Sequence, residues 1–366
     1  MQIEIFARVK DPRVLGKVKH ELEDVLRIAL IGVLTSCEDY DETSDFVEER
    51  QTELKAMGFL KLENGVPSGD TIRRVVESVN PDQMRESLRI CREHIISSLS
   101  GCHVIIDGKK LRGENPRSRG CNGLYILNAM VSEYEICISE KRVDDKTNEL
   151  KVLPSVIASM CIVGALVSVD AMGTHRPIAQ QILLQGGHYL MALKDNQPIL
   201  KELVETVFGV SKPISQYRSE EKGHGRTEVR ECSILDTKML EKEGLYEEWP
   251  GLKRIIRMYR ERTCDGVKSK ETIYYLSSEE KDDAEYFASR IRAHWGIENK
   301  LHWHLDVTFK EDDCRVRTKN GAENLSILRK FAMEMLKKQS DKLSLKRRRK
   351  KCLLNLDYLA KVFKEG

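Results

Sequence analysis

From His103 onward the chain alternates short apolar runs with amphipathic stretches, and that alternation limits what it can fold into. His103 to Asp107, Gly123 to Val131, Tyr134 to Ser139, Ala165 to Asp170 and His188 to Leu193 read as strands, the second and third joined by so short a turn that they form a hairpin. Val152 to Cys161, Thr174 to Leu184 and Gln197 to Phe208 read as helices. The order β-β-β-α-β-α-β-α predicts an α/β domain on a mixed sheet with flanking helices.

On either side the texture differs. From about Glu21 to Leu99 the pattern is helical: Leu22, Val25, Leu26, Ile28, Ala29 and Val33 share one face, and Met84, Leu88, Cys91, Ile95 and Leu99 share another after Pro81. Between them Ser68 or Asp70 caps a short basic helix containing Arg73 and Arg74, a pair that reads as a phosphate contact or, more commonly, as helix surface. Residues 1–100 are therefore an all-α unit. Residues 212–277 contain alternating Thr/Ile/Tyr/Arg-rich segments, "RTEVRECSIL", "LKRIIRMYRER" and "KETIYYLSS", expected to form a separate small sheet inserted into the α/β domain. A helical pattern resumes from Glu279 towards Leu305 and again from Ala322 to Lys338, so the α/β domain spans 101–211 and 278–340.

The length of 366 residues calls for two or three structural units. Ten scattered cysteines, with no CxxC and no zinc-ligand spacing, read as reduced thiols. The longest apolar run, Ile28 to Leu34, falls far short of the roughly 20 residues that span a bilayer, so a soluble cytoplasmic protein with no membrane partner is expected. Net charge is only +3, but residues 341–366 carry nine Lys/Arg against three Asp/Glu, mostly in the run Lys346 to Lys351. That basic tail reads equally as solvated chain or phosphate-binding patch.

Two apolar strands end on aspartate, at Asp107 and Asp170. Each residue has an ordinary reading as a turn or helix cap. If the strands are neighbours, however, the two carboxylates share one sheet edge, where open α/β sheets build sites. A hard divalent cation takes oxygen ligands, and phosphoryl transfer by two metals needs a third carboxylate. The helix "RAHWGIENKLHWHLD" offers Glu298, with His294 and His302 a turn to either side and Asp306 two turns on. The loop group Glu311-Asp312-Asp313 competes for that role, and Trp295 and Trp303 read as core packing ahead of DNA stacking.

The helical unit with "VPSGDTIRRV", followed in order by "IIDGKKLRG", "VDDKTNE", "SVDAMGTH", "YLMALKDNQ", "KGHGRTEVR", "HWGIENKLHWHLDVTF" and "GAENLSILRKFAMEML", resembles the H-repeat-associated (ISAs-type) transposases of bacterial insertion sequences, members of the DDE superfamily. The resemblance runs from Asp11-Pro12-Arg13 to the basic tail. It implies an RNase-H-like catalytic domain holding Asp107, Asp170 and Glu298 as catalytic and metal-binding residues, with a β-rich insertion before the last catalytic helix. It further implies two Mg²⁺ ions, replaceable by Mn²⁺, and DNA as partner, both the element's terminal inverted repeats and the target. Self-association on DNA and action at the bacterial nucleoid follow from the same likeness.

Lys109, Lys110 and Arg112 are then expected beside the cleaved strand. Lys194, Asn196, Gln197, His224, Arg226, His294, His302, Arg315 and Arg317 are further DNA-contact candidates on the family pattern. The broader group carries a tyrosine and an arginine ahead of the glutamate and a lysine seven residues after it; this chain has Ile291, His294 and Leu305 there. Arg292, Lys300 and Lys310 are the substitutes for the missing cations. Rival readings are a metal-dependent nuclease without strand joining, a domesticated DNA-binding protein that has lost its chemistry, and a pair of carboxylates acting on a glycoside.

Overall fold

Helix α1 (Leu22–Thr35) is apolar on nearly every side, with Val25, Leu26, Ile28, Leu30, Ile31 and Leu34 all buried, so it becomes the centre of a helical unit rather than a surface helix. α2 (Tyr40–Glu49) and α4 (Gly69–Ser78) pack on it, and α3 (Gln51–Ala56) and α5 (Pro81–Glu93) belong to the same unit. Gly32 lets α2 approach α1: a Cβ there would overlap the Thr43 side chain. Ser68, not Asp70, caps α4, its hydroxyl accepting from the Thr71 backbone N–H at 3.4 Å. Asp70 instead pairs with Arg73 and Arg74, which are therefore helix-surface ion pairs.

The computed structural model describes residues 5–93, 98–111, 124–143, 149–223, 225–239, 249–264 and 266–365. The chain divides into two compact units: Met1–Ser97 with Lys110–Tyr125 and Leu301–Gly366, and Ser98–Lys109 with Ile126–Lys300. The second is built on one nine-stranded sheet. Its strands are β1 (His103–Lys110), β2 (Tyr125–Val131), β3 (Ile136–Val143), β4 (Leu166–Val169), β5 (His188–Leu193), β6 (Ser215–Gly223), β7 (Arg226–Asp236), β8 (Arg254–Cys264) and β9 (Val267–Ser277), in the order β3-β2-β1-β4-β5-β9-β8-β7-β6. Helices α6 (Glu149–Ala158), α7 (Arg176–Leu184), α8 (Pro198–Val210) and α9 (Ala284–Ile297) complete the mixed α/β unit expected from the alternation.

The inserted strands do not form a sheet of their own. β9 pairs antiparallel with β5, from Leu190↔Ser277 to Leu193↔Tyr274, and β8, β7 and β6 follow it. The cause lies in β9, whose last five residues, Ile273 to Ser277, are buried; pairing them satisfies the backbone groups that β5 would otherwise leave at an apolar edge. Strand β6 was not legible because "SQYRSEEKG" is mostly polar, as befits an edge.

The basic segment is no loose tail. The helical unit closes with α10 (Gly321–Lys337), α11 (Leu345–Leu354) and α12 (Leu356–Glu365). Arg348 donates to the carbonyls of Leu336 and Gln339 and to the Asp341 carboxylate, and Arg349 donates to the carbonyls of Val33 and Thr308. A buried guanidinium has five donors to satisfy, and the carbonyls at these helix and loop ends accept them. Two of the run's six cations are therefore structural.

Candidate active site

Ile106 and Val169 are paired in the parallel β1–β4 ladder, and the residue that follows each in the chain is an aspartate. Parallel neighbours lie about 4.8 Å apart and side chains alternate between faces, so Asp107 and Asp170 stand abreast on one face. Both line one cleft with Glu149, Leu153 and Gly173. Asp107 lies inside β1 rather than beyond it.

Asp170 follows β4 and caps the 3₁₀ turn Ala171–Gly173, its Oδ1 accepting from the Gly173 N–H at 3.1 Å. The capping reading is thus realised, but it uses one of about four lone-pair sites on a carboxylate. Behind the cap, Thr174 Oγ1 lies 2.6 Å from the Ala192 carbonyl. Asn196 Nδ2 donates to the carbonyls of Ala171 (2.6 Å) and Thr174 (3.3 Å), and Gln197 Nε2 donates to Thr174 (3.3 Å). Asn196 and Gln197, expected at DNA, hold the loop that carries Asp170.

The third acid comes from α9. Phe287 and Ile291 pack in one cluster with Leu166, Leu190, Ile256 and Tyr275, which lays the helix over the sheet. His294 and Glu298 continue the same helical stripe, and Glu298 and Asp107 bring carboxylate oxygens within 4.8 Å of each other. At Glu298 the α-helix gives way to two π-helical turns, Glu298–His302 and His304–Thr308. The i→i+5 pattern of these turns breaks the α-helical phase that would have put Glu298, His302 and Asp306 on one face; such bulges recur at functional sites. His302 is buried at the end of the first turn.

The chain matches the Transposase DDE domain family over residues 98–335 and a DDE_Tnp_1-associated family over residues 3–90. The chain belongs to the DDE transposase family. It is 33% identical to the H repeat-associated putative transposase YhhI of Escherichia coli (strain K12), covering 98% of this chain and 97% of that protein. It is also 33% identical to the putative transposase YncI of Escherichia coli O157:H7, covering 98% of this chain and 93% of that protein. Among solved structures, a piggyBac transposase synaptic complex with hairpin DNA superposes with a TM-score of 0.44 at 12% identity, covering 99% of this chain and 78% of that one.

The remaining expected DNA contacts of the transposase fall in several settings. Lys109 is buried and Lys110 exposed at the end of β1; Arg112 and His224 lie outside the described residues. Lys194, Arg226, Arg315 and Arg317 are exposed, the last two lining a cavity of about 1020 Å³ in the helical unit. His294 turns inward, its Nδ1 2.8 Å from Ser168 Oγ. The substitute cations are engaged in ion pairs: Arg292 with Glu221, Lys300 with Glu135 and Lys310 with Glu38. Trp295 and Trp303, expected in the core, are 47% and 50% exposed, because the apolar stripe of α9 that meets the sheet runs through Phe287 and Ile291 instead. Two residues at the site escaped sequence reasoning, His103 and Ser168; the only signal was one hydroxyl inside the apolar run "LVSV".

Proposed function

We propose that this transposase binds the terminal inverted repeats of a bacterial insertion sequence and performs Mg²⁺-dependent hydrolysis and strand transfer, with Asp107, Asp170 and Glu298 as its catalytic and metal-binding residues. The supporting observation is geometric: the β1–β4 register sets two aspartates abreast, and α9 brings a glutamate oxygen within 4.8 Å of one of them. An all-oxygen set of carboxylates suits hard divalent cations such as Mg²⁺ or Mn²⁺. Bound there, two such ions supply Lewis acidity, lowering the pKa of the attacking water and offsetting the charge that grows on the departing 3′ oxygen.

The protein's own part is to hold and orient. Asp107 is fixed by the β1 ladder, Asp170 by its cap on Gly173, and Glu298 by the packing of α9. Lys110, at the strand end, and Arg112, as the family pattern has it, offset phosphate charge beside the cleaved strand, and Lys194 and Arg226 extend that role. The nucleophile for joining is the freed 3′-hydroxyl of the DNA, so no covalent protein intermediate is needed. The helical unit recognises the inverted repeats, and two copies meet on the DNA because two ends are joined.

The experiment uses duplex DNA containing the element's end, with Mg²⁺, and maps nicks and joined products. Asp107→Asn and Glu298→Gln are expected to abolish cleavage while retaining DNA binding, and chelator is expected to stop the wild type. Wild-type cleavage by either variant would refute the assignment; nicks without joined product in the presence of target would reduce the activity to that of a nuclease.

A further inference from the structure

Each of the three acids has a polar residue a short step earlier in the chain: His103 lies four before Asp107 on β1, Ser168 on β4 two before Asp170, which follows that strand, and His294 on α9 four before Glu298, which follows that helix. These three residues are joined to one another. Ser168 Oγ lies 2.7 Å from His103 Nε2 and 2.8 Å from His294 Nδ1. His103 is 0% and Ser168 2% exposed, so the chain of bonds runs through the interior.

Burial pushes His294 down to about 4 and His103 well below the usual histidine range, so both rings are neutral near pH 7. A neutral ring has one N–H and one acceptor. Among the described residues His103 Nδ1 has no hydrogen-bond partner. The arrangement that buries no unsatisfied donor there runs from His103 Nε2–H to Ser168 Oγ, and from the Ser168 hydroxyl to His294 Nδ1. A second link runs parallel to it: Glu133 accepts from the His103 backbone N–H at 3.0 Å and from Arg290, one turn before His294 on α9.

Apolar packing of α9 through Phe287 and Ile291 is non-directional and leaves the helix's axial and rotational setting weakly defined. Sliding by one turn would carry Glu298 about 5.4 Å along the axis, enough to part it from Asp107. A hydrogen bond, by contrast, weakens steeply with misalignment. We propose that His103, Ser168 and His294 form a clasp of positioning residues that sets α9 against β1 and β4 and so holds the Glu298 carboxylate at Asp107. The clasp touches neither DNA nor metal; it acts through the acids, and it rests on the reading of those acids as metal ligands.

The test uses full-length protein with Mn²⁺ as the probe. Ser168→Ala removes both bonds, His294→Phe keeps a ring without the acceptor, and His294→Asn returns an acceptor oxygen near the position of Nδ1. Calorimetric Mn²⁺ affinity without DNA, the Mg²⁺ concentration for half-maximal cleavage, and the thermal midpoint are measured for each. Ser168→Ala and His294→Phe are expected to weaken Mn²⁺ binding by about 10- to 100-fold and to raise the Mg²⁺ requirement in proportion. Cleavage should recover at high metal, and His294→Asn should regain most of the affinity. Should Ser168→Ala not fold, the contrast between His294→Phe and His294→Asn carries the test; equal, wild-type-like affinity in that pair overturns the clasp. Asp107→Asn separates the two readings. If it abolishes Mn²⁺ binding while folded Ser168→Ala and His294→Phe bind as wild type does, the metal site stands and the clasp falls; if Asp107→Asn itself binds normally, both fall.

Discussion

Strands β4 and β9 belong to one sheet yet differ along their length: all four residues of β4 are buried, whereas β9 is exposed from Val267 to Thr272 and buried only from Ile273 to Ser277. The β1–β4–β5 part is parallel and covered, as parallel strands usually are. The β6–β9 part is antiparallel, and its far end is held by ladder bonds and surface ion pairs such as Arg260–Glu271 and Lys268–Glu261. The contrast teaches where precision comes from. Burial on both faces leaves the β1–β4 register no freedom, since a slip of one residue would turn every side chain to the opposite face, and the paired acids inherit that rigidity. The exposed arm carries no such constraint and tolerates a polar sequence.

Four substitutions or conditions test that contrast. The largest effect is expected at the buried part's end: Asp170→Asn keeps an oxygen to cap Gly173 but loses the charge, so cleavage should fall about a thousandfold while the thermal midpoint barely moves. Wild-type cleavage by this variant would mean that Asp170 is a cap and nothing more. Next, Phe287→Ala, at 0% exposure where α9 meets the sheet, should cost about 3–5 kcal/mol in denaturant unfolding. A loss below about 1 kcal/mol would show that the arm and the helix do not share a core.

Changing pH should weaken the two parts from opposite directions. His294 has its folded pKa lowered by burial to about 4, from 6.5, so below 6.5 the unfolded chain takes up the proton more readily. Its contribution, at most about 3 kcal/mol, is present above pH 6.5 and lost as the pH falls towards 4. Tyr275 on β9 is pushed by burial up to about 12 from 10, so its contribution is present below pH 10 and lost as the pH rises towards 12. Unfolding midpoints followed across both windows check the signs; stability that is flat from pH 7 to 4 would contradict a neutral buried His294. The smallest effect is expected for Arg260→Ala on the exposed arm. It should cost under about 1 kcal/mol, less still in high salt, and leave cleavage unchanged.

Much of this was readable one segment at a time. The strand and helix order from His103 to Phe208 follows from local apolar spacing, and Asp107 and Asp170 stand out because each closes an apolar run. The C-terminal cations were misread for a physical reason: a run of six basic residues looks solvated, and nothing local reveals that carbonyls of Val33, Thr308 and Leu336 will meet Arg348 and Arg349. The tryptophans erred likewise, since helical spacing offers several possible apolar faces and packing selects one.

By itself, then, the sequence determined the element order from His103 to Phe208, the family and two candidate acids, all properties of short windows where side-chain period and turn chemistry dominate. The tertiary structure alone decided that β9 would extend the sheet that carries Asp107, that Glu298 would reach Asp107, and that His103, Ser168 and His294 would be hydrogen-bonded to one another. Those contacts link residues tens to more than a hundred positions apart. Their geometry depends on register and helix setting, which emerge only when the whole core closes and its buried polar groups must find partners.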